Sequence, residues 1–329
     1  MVSDLVRIAV DAIGGDYAPQ EIIKGGIEAQ RDSEVKILLV GPQKLLREQI
    51  AGYGADFLEI VDAPEVIEMG EKAAQAVRAK EHSSPMVAAK LCREQRADGF
   101  VSAGNTGAVM AAALLTWGRI PGVKRPAIAI VIPTPSGPVL LLDAGANADC
   151  KPENLLQFAQ MGSAYARKIL NIDNPSVGLL NVGEEESKGS ELYQQAHQLL
   201  KASSLHFLGN IEGRDIVHAK VNVVVCDGLT GNIVLKLLEG TTEVFFSEIK
   251  NKIKESFLTR MAGAVLAPGL LDLKKKLDYE EYGGAPLLGL NGVCIISHGK
   301  SKAKAIKNAI RVAKRMVLNN VVMEIKEEI

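Results

Sequence analysis

Five short segments combine glycine with aspartate, asparagine or threonine in a way that could hold a small anion. They are Asp11-Ala12-Ile13-Gly14-Gly15-Asp16, Ser102-Ala103-Gly104-Asn105-Thr106-Gly107, Asp143-Ala144-Gly145-Ala146-Asn147, Asn181-Val182-Gly183 and Asp227-Gly228-Leu229-Thr230-Gly231-Asn232. Each follows a short apolar run and precedes a segment of helical length. Glycine lets the backbone turn with positive φ and approach a ligand closely. The helix that follows directs free N–H groups and a partial positive charge at whatever lies there. Phosphate or carboxylate suits such a place. The candidate substrate-binding residues are therefore Gly14, Gly15, Asp16, Gly104, Asn105, Thr106, Gly107, Asn147, Gly228, Thr230 and Gly231. Any one of these loops could be a plain strand-to-helix turn, whereas five sharing one edge of a sheet would build a site.

Four side chains could add chemistry. Lys188 closes the run Asn181 to Gly189 and is read as opening a helix, where it opposes the helix dipole and so hints at an anionic partner; a solvated lysine paired with Glu184 or Glu185 is the alternative. Asn232, in the first turn of a long helix, could hold a carbonyl or phosphate oxygen, or cap that helix. Lys236 lies one turn further on. His298 reads as a turn residue or a donor to substrate.

Other chemistries lack their motifs. No G-x-G-x-x-G follows a strand, against a dinucleotide site. Gly299-Lys300-Ser301 ends like a P-loop, but that loop needs glycine where Cys294 stands. The fragment reads instead as a solvent-facing helix start. There is no G-x-S-x-G elbow, and Ser297 beside His298 are sequence neighbours, a poor nucleophile–base pair. Cys92, Cys150, Cys226 and Cys294 form no C-x-x-C pair and stand apart from the histidines, so isolated thiols in a reducing compartment are expected, with no metal and no cofactor.

The elements that must position these loops alternate. Strands are expected at 8–11, 35–40, 57–61, 100–102, 128–132, 139–143, 177–181, 206–209, 221–226 and 293–297, with helices at 21–30, 86–96, 152–170 and 188–202 between them. Runs such as Val223-Val224-Val225 and Leu140-Leu141-Leu142 are apolar at consecutive positions, as in strands buried on both faces of a parallel sheet. Only Pro133 to Pro138 separates two of the strands, too short for a crossover helix, so a hairpin is required there. The expected fold is α/β: a mixed, mostly parallel, doubly wound sheet in one unit over residues 1–329, with two subdomains possible. Among 329 residues, 47% are apolar and 23% charged, with 31 glycines, which is ordinary for this class. A net charge of −1 gives no field for nucleic acid. The start of the chain lacks signal-peptide features, and the apolar stretch 108–117 falls short of the roughly 20 residues a bilayer needs. A cytoplasmic protein is expected.

Residues 245–280 read as a protruding amphipathic helical hairpin. A helix is expected from Ile233 to about Ala267, broken by Pro268-Gly269, with a short return to Leu277. Ile253, Phe257, Met261 and Val265 recur at four-residue spacing, and Leu270, Leu271, Leu273 and Leu277 continue the stripe. Between residues 250 and 276 stand seven basic residues (Lys250, Lys252, Lys254, Arg260, Lys274, Lys275, Lys276) against two acidic ones. That pattern suits an anionic membrane surface, an acidic protein partner, core packing or a dimer interface.

The ordered motifs at 11–16 with Pro19, 102–108, 143–147, 181–189, 209–215, 227–236 and 282–289 resemble the bacterial phosphate acyltransferase family over nearly the whole chain. Ile13 stands where that family usually has methionine. The resemblance implies a fold like the isocitrate dehydrogenase and phosphotransacetylase group and transfer of a long-chain acyl group from acyl carrier protein to inorganic phosphate. The acyl phosphate would pass to a glycerol-3-phosphate acyltransferase in phospholipid synthesis. It further implies a homodimer, peripheral membrane association, catalytic roles for Lys188 and Asn232, and a membrane or carrier-protein contact through Lys254, Phe257, Arg260, Met261, Val265, Leu270, Leu271, Lys274 and Lys275. Direct attack of phosphate on a thioester needs neither an enzyme nucleophile nor a metal. The alternatives are an NAD-dependent dehydrogenase of the same broad fold and a non-catalytic membrane adaptor.

Overall fold

The structure, a computed structural model, describes residues 5–276 and 283–329. In chain order the elements are β1 (Val6–Asp11), α1 (Gln20–Ser33), β2 (Val35–Gly41), α2 (Gln43–Ala51), β3 (Glu59–Asp62), α3 (Ala73–Ala79), α4 (Ser84–Arg93), β4 (Gly99–Ser102) and α5 (Thr106–Thr116). Then come β5 (Ala127–Ile132), β6 (Val139–Leu142), α6 (Pro152–Leu170), β7 (Val177–Leu180), α7 (Glu191–Lys201), β8 (Phe207–Ile211), α8 (Gly213–Val217), β9 (Val223–Val225) and α9 (Gly228–Lys254). The chain closes with α10 (Phe257–Lys276), β10 (Ala285–Leu288), β11 (Val293–Ile296), α11 (Ala303–Leu318) and α12 (Val321–Glu328). The expected hairpin residues Leu277 to 280, and Tyr282, lie outside the described residues.

All strands join one sheet of order β3-β2-β1-β4-β11-β10-β5-β6-β9-β7-β8. Alternate strand residues serve opposite faces. Ile8 and Val10 pack with Ile22 and Ile23 of α1 and Ile306 and Ile310 of α11, while Phe100 packs with Leu91 of α4 and Val109 of α5 on the other side. The runs 140–142 and 223–225 are buried throughout, as strands covered on both faces must be.

Two parallel blocks make up the sheet. β3, β2, β1, β4 and β11 run one way; β6, β9, β7 and β8 are parallel to one another but reversed, because β5 and β6 form the expected antiparallel hairpin and β10 is antiparallel to both β11 and β5. The expectation that the five loops share one edge is therefore corrected: the blocks point their carboxyl ends at opposite edges. β10 has no counterpart among the expected strands; it is four residues long and contains a proline, which weakens any strand signal. Pro286 marks the point where this strand changes partner: Ala285 and Pro286 pair with β11, Leu287 and Leu288 with β5. Beyond Ile128, β5 loses β10 as a neighbour, and Ile130, Ala285 and Ile296 line the gap that opens there. Short strands leave the two edges only about 13 Å apart, so loops from both can overhang that gap.

The hairpin also turns elsewhere than expected. α9 ends at Lys254 and α10 runs unbroken through Pro268. Ser256 and Thr259 cap α10 reciprocally: Ser256 N–H donates to Thr259 Oγ1 at 2.9 Å and Thr259 N–H to Ser256 Oγ at 3.1 Å. Pro268 costs a hydrogen bond to the carbonyl of Ala264, but that residue is exposed and water can serve it.

Candidate active site

In the first block, Asp11 is buried at the end of β1 and organises two loops. Its Oδ1 accepts from the N–H of Ile13 at 3.2 Å and of Gly14 at 3.1 Å, and its Oδ2 accepts from Ser102 Oγ at 2.6 Å. Ser102 in turn accepts from Gly104 N–H at 3.0 Å. Burial pushes the Asp11 carboxyl up, opposed by these donors. A Cβ on Gly14 would stand 2.7 Å from Gly104 N, so the two loops can touch here only because residue 14 is glycine.

The second block repeats the plan with other chemistry. Asp143, just past β6, is fully buried; its Oδ1 accepts from Ile128, Gly145 and Ala146 N–H groups and its Oδ2 from Asn147 N–H and Nδ2. Its carboxyl is likewise pushed up by burial. Gly228 N–H donates to Asn147 O at 2.8 Å, and a Cβ on Gly231 would stand 1.9 Å from Asp143 O. Asp227 caps α9, accepting from Thr230 N–H at 2.9 Å, from Thr230 Oγ1 at 2.8 Å and from Tyr193 OH at 2.5 Å. Burial works upward on Asp227, but these donors together hold its carboxyl below the ordinary value.

Between the blocks lies a cavity of about 460 Å³. Asp16, Gly104, Thr106 and His298 line it from the first block, Gly145, Asn232 and Lys236 from the second, and Ile128, Ile130, Val131, Leu235 and Ile296 form its apolar wall. His298 Nδ1 accepts from Lys300 N–H at 3.1 Å, leaving Nε2 as the nitrogen able to donate. Lys236 pairs with Glu239, also in the lining, at 2.7 Å. Because Asp227 caps α9, Asn232 is not needed as a cap.

The remaining candidates do other work. Asn147 donates to Pro126 O and Asp143, Thr230 is spent on Asp227, and Asn105 caps α5 while donating to Met69 O and Glu71 O. Gly107 makes room for Ala73 of α3, Gly228 and Gly231 seat α9, and Gly14 and Gly15 fit against the Gly104 loop and Gly299. Lys188 is exposed, outside the cavity lining, and opens no helix: Gly189 takes φ +85° and α7 begins only after Ser190. Glu184 pairs with Lys220 and Glu186 with Lys201, while Lys188 has no ion-pair partner among the described residues.

The β11–α11 loop is the part that sequence reasoning undervalued. Ser297 and Ser301 are buried, and both line the cavity with Gly299, so 297–301 is not a solvent-facing helix start. The signal was present: Ser-His-Gly-Lys-Ser is a glycine-containing strand-to-helix loop like the other five, and β11 pairs in parallel with β4.

On the hairpin, Phe257 is 75%, Met261 57% and Val265 81% exposed. Leu271 is exposed, as are Lys254, Arg260 and Lys274, whereas Leu270 is half-buried. Ile253 leaves the expected stripe, because it packs where Gly263 lets the two helices close. No described helix is long and apolar enough to cross a membrane.

The fold is similar to that of solved phosphotransacetylases: one from Streptococcus pyogenes superposes with a TM-score of 0.67 over 96% of this chain and 95% of that one, at 17% identity. The family model described as "Fatty acid synthesis protein" matches residues 6–324. A phosphate acyltransferase of Heliobacterium modesticaldum is 53% identical over 98% of both chains, and one of Dictyoglomus turgidum 52% identical over 95% of this chain and 94% of its own. The chain belongs to this family of fatty acid synthesis proteins and is an acyltransferase.

Proposed function

We propose that the enzyme transfers a long-chain acyl group from the thioester of acyl carrier protein to inorganic phosphate, releasing acyl phosphate for a glycerol-3-phosphate acyltransferase to use. The observation that carries this reading is the two-sided cavity, with hydroxyl, imidazole and backbone groups at one side and an isoleucine- and valine-lined wall at the other. A phosphate oxygen attacks the carbonyl carbon, the C–O bond forms, the C–S bond breaks, and the sulfur leaves as a thiol with the proton that phosphate gives up. Both ends of the exchange are activated acyl groups, so orientation and charge stabilisation suffice. Asn232 and Lys236, one turn apart on α9, suit the developing oxyanion. Lys188 would act at the rim on the donor's thioester arm, and wild-type turnover in Lys188→Ala would remove it from the mechanism. The relatives' shared name favours this over the dehydrogenase and adaptor alternatives. The test is to mix enzyme, acyl-acyl carrier protein and phosphate and trap the product with hydroxylamine: hydroxamate that depends on phosphate is expected, and its absence ends the reading.

The same reading places the chain at an anionic membrane surface through the exposed apolar and basic side chains of α10. Phe257→Glu with Met261→Glu then releases it from anionic vesicles in a flotation assay, and unchanged flotation assigns those residues elsewhere. A separate stripe on α9 (Leu229, Ile233 and Leu237, each more than half exposed) supports a homodimer, which a monomeric mass in sedimentation would refute.

A further inference from the structure

The loop between β11 and α11 holds a buried hydroxyl without a partner among the described residues. Ser297 is 4% exposed and lines the cavity, yet its Oγ has no hydrogen-bond partner among the described residues. The backbone around it is committed. Ser297 N–H donates to Ser102 O at 2.8 Å, Gly299 O accepts from Asp16 N–H at 2.7 Å, and Ser301 N–H donates to His298 O at 2.9 Å. The loop is thus fastened to the first block on both sides, while the buried, unpartnered hydroxyl of Ser297 remains for whatever enters the cavity.

Other donors gather there. Thr106, Ser301 and His298 line the same cavity, and so does Ala305 in the first turn of the 16-residue α11, whose amino end carries partial positive charge. Facing them is Asp16, which lines the cavity and has no ion-pair partner among the described residues, whereas Glu239, the other carboxylate in the lining, is paired with Lys236. A ring of donors alone would hold any small oxyanion. A carboxylate among them repels an anion that has lost all its protons, but accepts a hydrogen bond from one that keeps a hydroxyl.

We propose that this loop is the phosphate subsite of the transfer reaction, with Ser297 as a donor and Asp16 as an acceptor that admits only an oxyanion carrying a proton. The inference rests on the acyl-transfer reading and deepens it by naming the acceptor's subsite and its selectivity. Phosphate and arsenate at neutral pH carry at least one proton, whereas sulfate carries none. The subsite therefore takes phosphate and arsenate and turns sulfate away.

Two measurements on the full chain test it: equilibrium dialysis of labelled inorganic phosphate with sulfate or arsenate as competitor, and turnover at varied phosphate and varied acyl thioester. Wild type binds phosphate and arsenate at least about tenfold more tightly than sulfate. Ser297→Ala raises the phosphate Kd and KM about tenfold, the effect of losing one hydrogen bond to a charged ligand, and leaves the thioester KM within about twofold. Asp16→Asn makes sulfate compete about as well as phosphate. Ser163→Ala, which removes the other buried unpartnered hydroxyl among the described residues, on α6 and outside the cavity lining, changes neither quantity. Wild type that binds sulfate as tightly as phosphate, or paired variants that keep wild-type phosphate affinity and selectivity, overturn the proposal even if turnover is normal. Selective phosphate binding without phosphate-dependent hydroxamate leaves the subsite standing and removes acyl transfer. If Ser297→Ala does not fold, Asp16→Asn on the exposed rim carries the test alone.

Discussion

Asp11 and Asp143 occupy matching places, each at the end of a strand whose parallel neighbour sends a second glycine loop against it, yet they are held by different chemistry. Asp11 is latched partly by a hydroxyl, Ser102 Oγ, which can turn to donate or accept. Asp143 is caged by amides alone, four from the backbone and one from Asn147, every one of them only a donor. The latch suits a loop that offers side chains to a small ligand, Asp16 and Thr106 among them. The cage suits a foundation. Only Gly228 and Gly231 of the 27-residue α9 are buried, so a helix of about 40 Å is rooted in one turn against Asp143 and then carries Asn232, Lys236 and the hairpin outward. Rigidity at that root sets the position of everything beyond it.

The largest break in this comparison is steric. Gly231→Ala places a methyl 1.9 Å from a backbone oxygen of the cage, and the capped helix cannot slide to make room. A loss of about 4 kcal/mol or more is expected, read as failure to fold or a collapsed urea midpoint. Gly14→Ala meets Asp11 Oδ2 at 2.5 Å and Gly104 N at 2.7 Å, a milder overlap than the 1.9 Å at Gly231, and costs about 2 kcal/mol. Equal losses would show the second block to be no stiffer than the first.

A milder break exchanges carboxylate for amide. Asp143→Asn turns one oxygen into an NH₂ that faces groups able only to donate, leaving buried donors unmet at about 3 kcal/mol. Asp11→Asn presents its NH₂ to Ser102, whose hydroxyl can reverse, and costs about 1 kcal/mol. The midpoints of the two variants in urea measure the difference, and the reverse order would sink the distinction between latch and cage.

The loops of both blocks were legible because glycine beside Asp, Asn or Thr after an apolar run is a local signal. Their arrangement was not. The reversal of the second block depends on which edge β6 joins and on a four-residue strand containing Pro286, and neither is fixed by nearby residues. For the same reason Asn147, Thr230 and Asn105 looked like ligand contacts: an amide or hydroxyl in a glycine loop reads alike whether it faces a cavity or closes its own turn. Lys188 misled through a helix boundary, since Gly189 carries a positive φ that stops α7 short. Ser297 and Ser301 carry an ambiguous local signal of their role: Gly299-Lys300-Ser301 imitates the end of a nucleotide motif, and only the pairing of β11 beside β4 brings the segment to the cavity.

The smallest test contrasts how the carboxyls answer acid. Asp227 is held below its ordinary value by Tyr193 and Thr230 despite its burial. Its folded value thus lies below the unfolded one, about 3.9, so its contribution is complete above that pH and is lost as pH falls through the folded value. Asp11 and Asp143 are pushed up by burial, and for them the sign inverts: their share of stability is complete below the unfolded value and falls as pH rises through the folded one. Asp227→Asn therefore flattens the decline of the urea midpoint below about pH 4, while Asp11→Asn leaves that decline in place and removes a loss at higher pH. Because Asp227 closes the first turn of α9, a wild-type acid slope in Asp227→Asn would mean that the root of the helix is held by the glycine fit against Asp143 and owes nothing to the cap's charge.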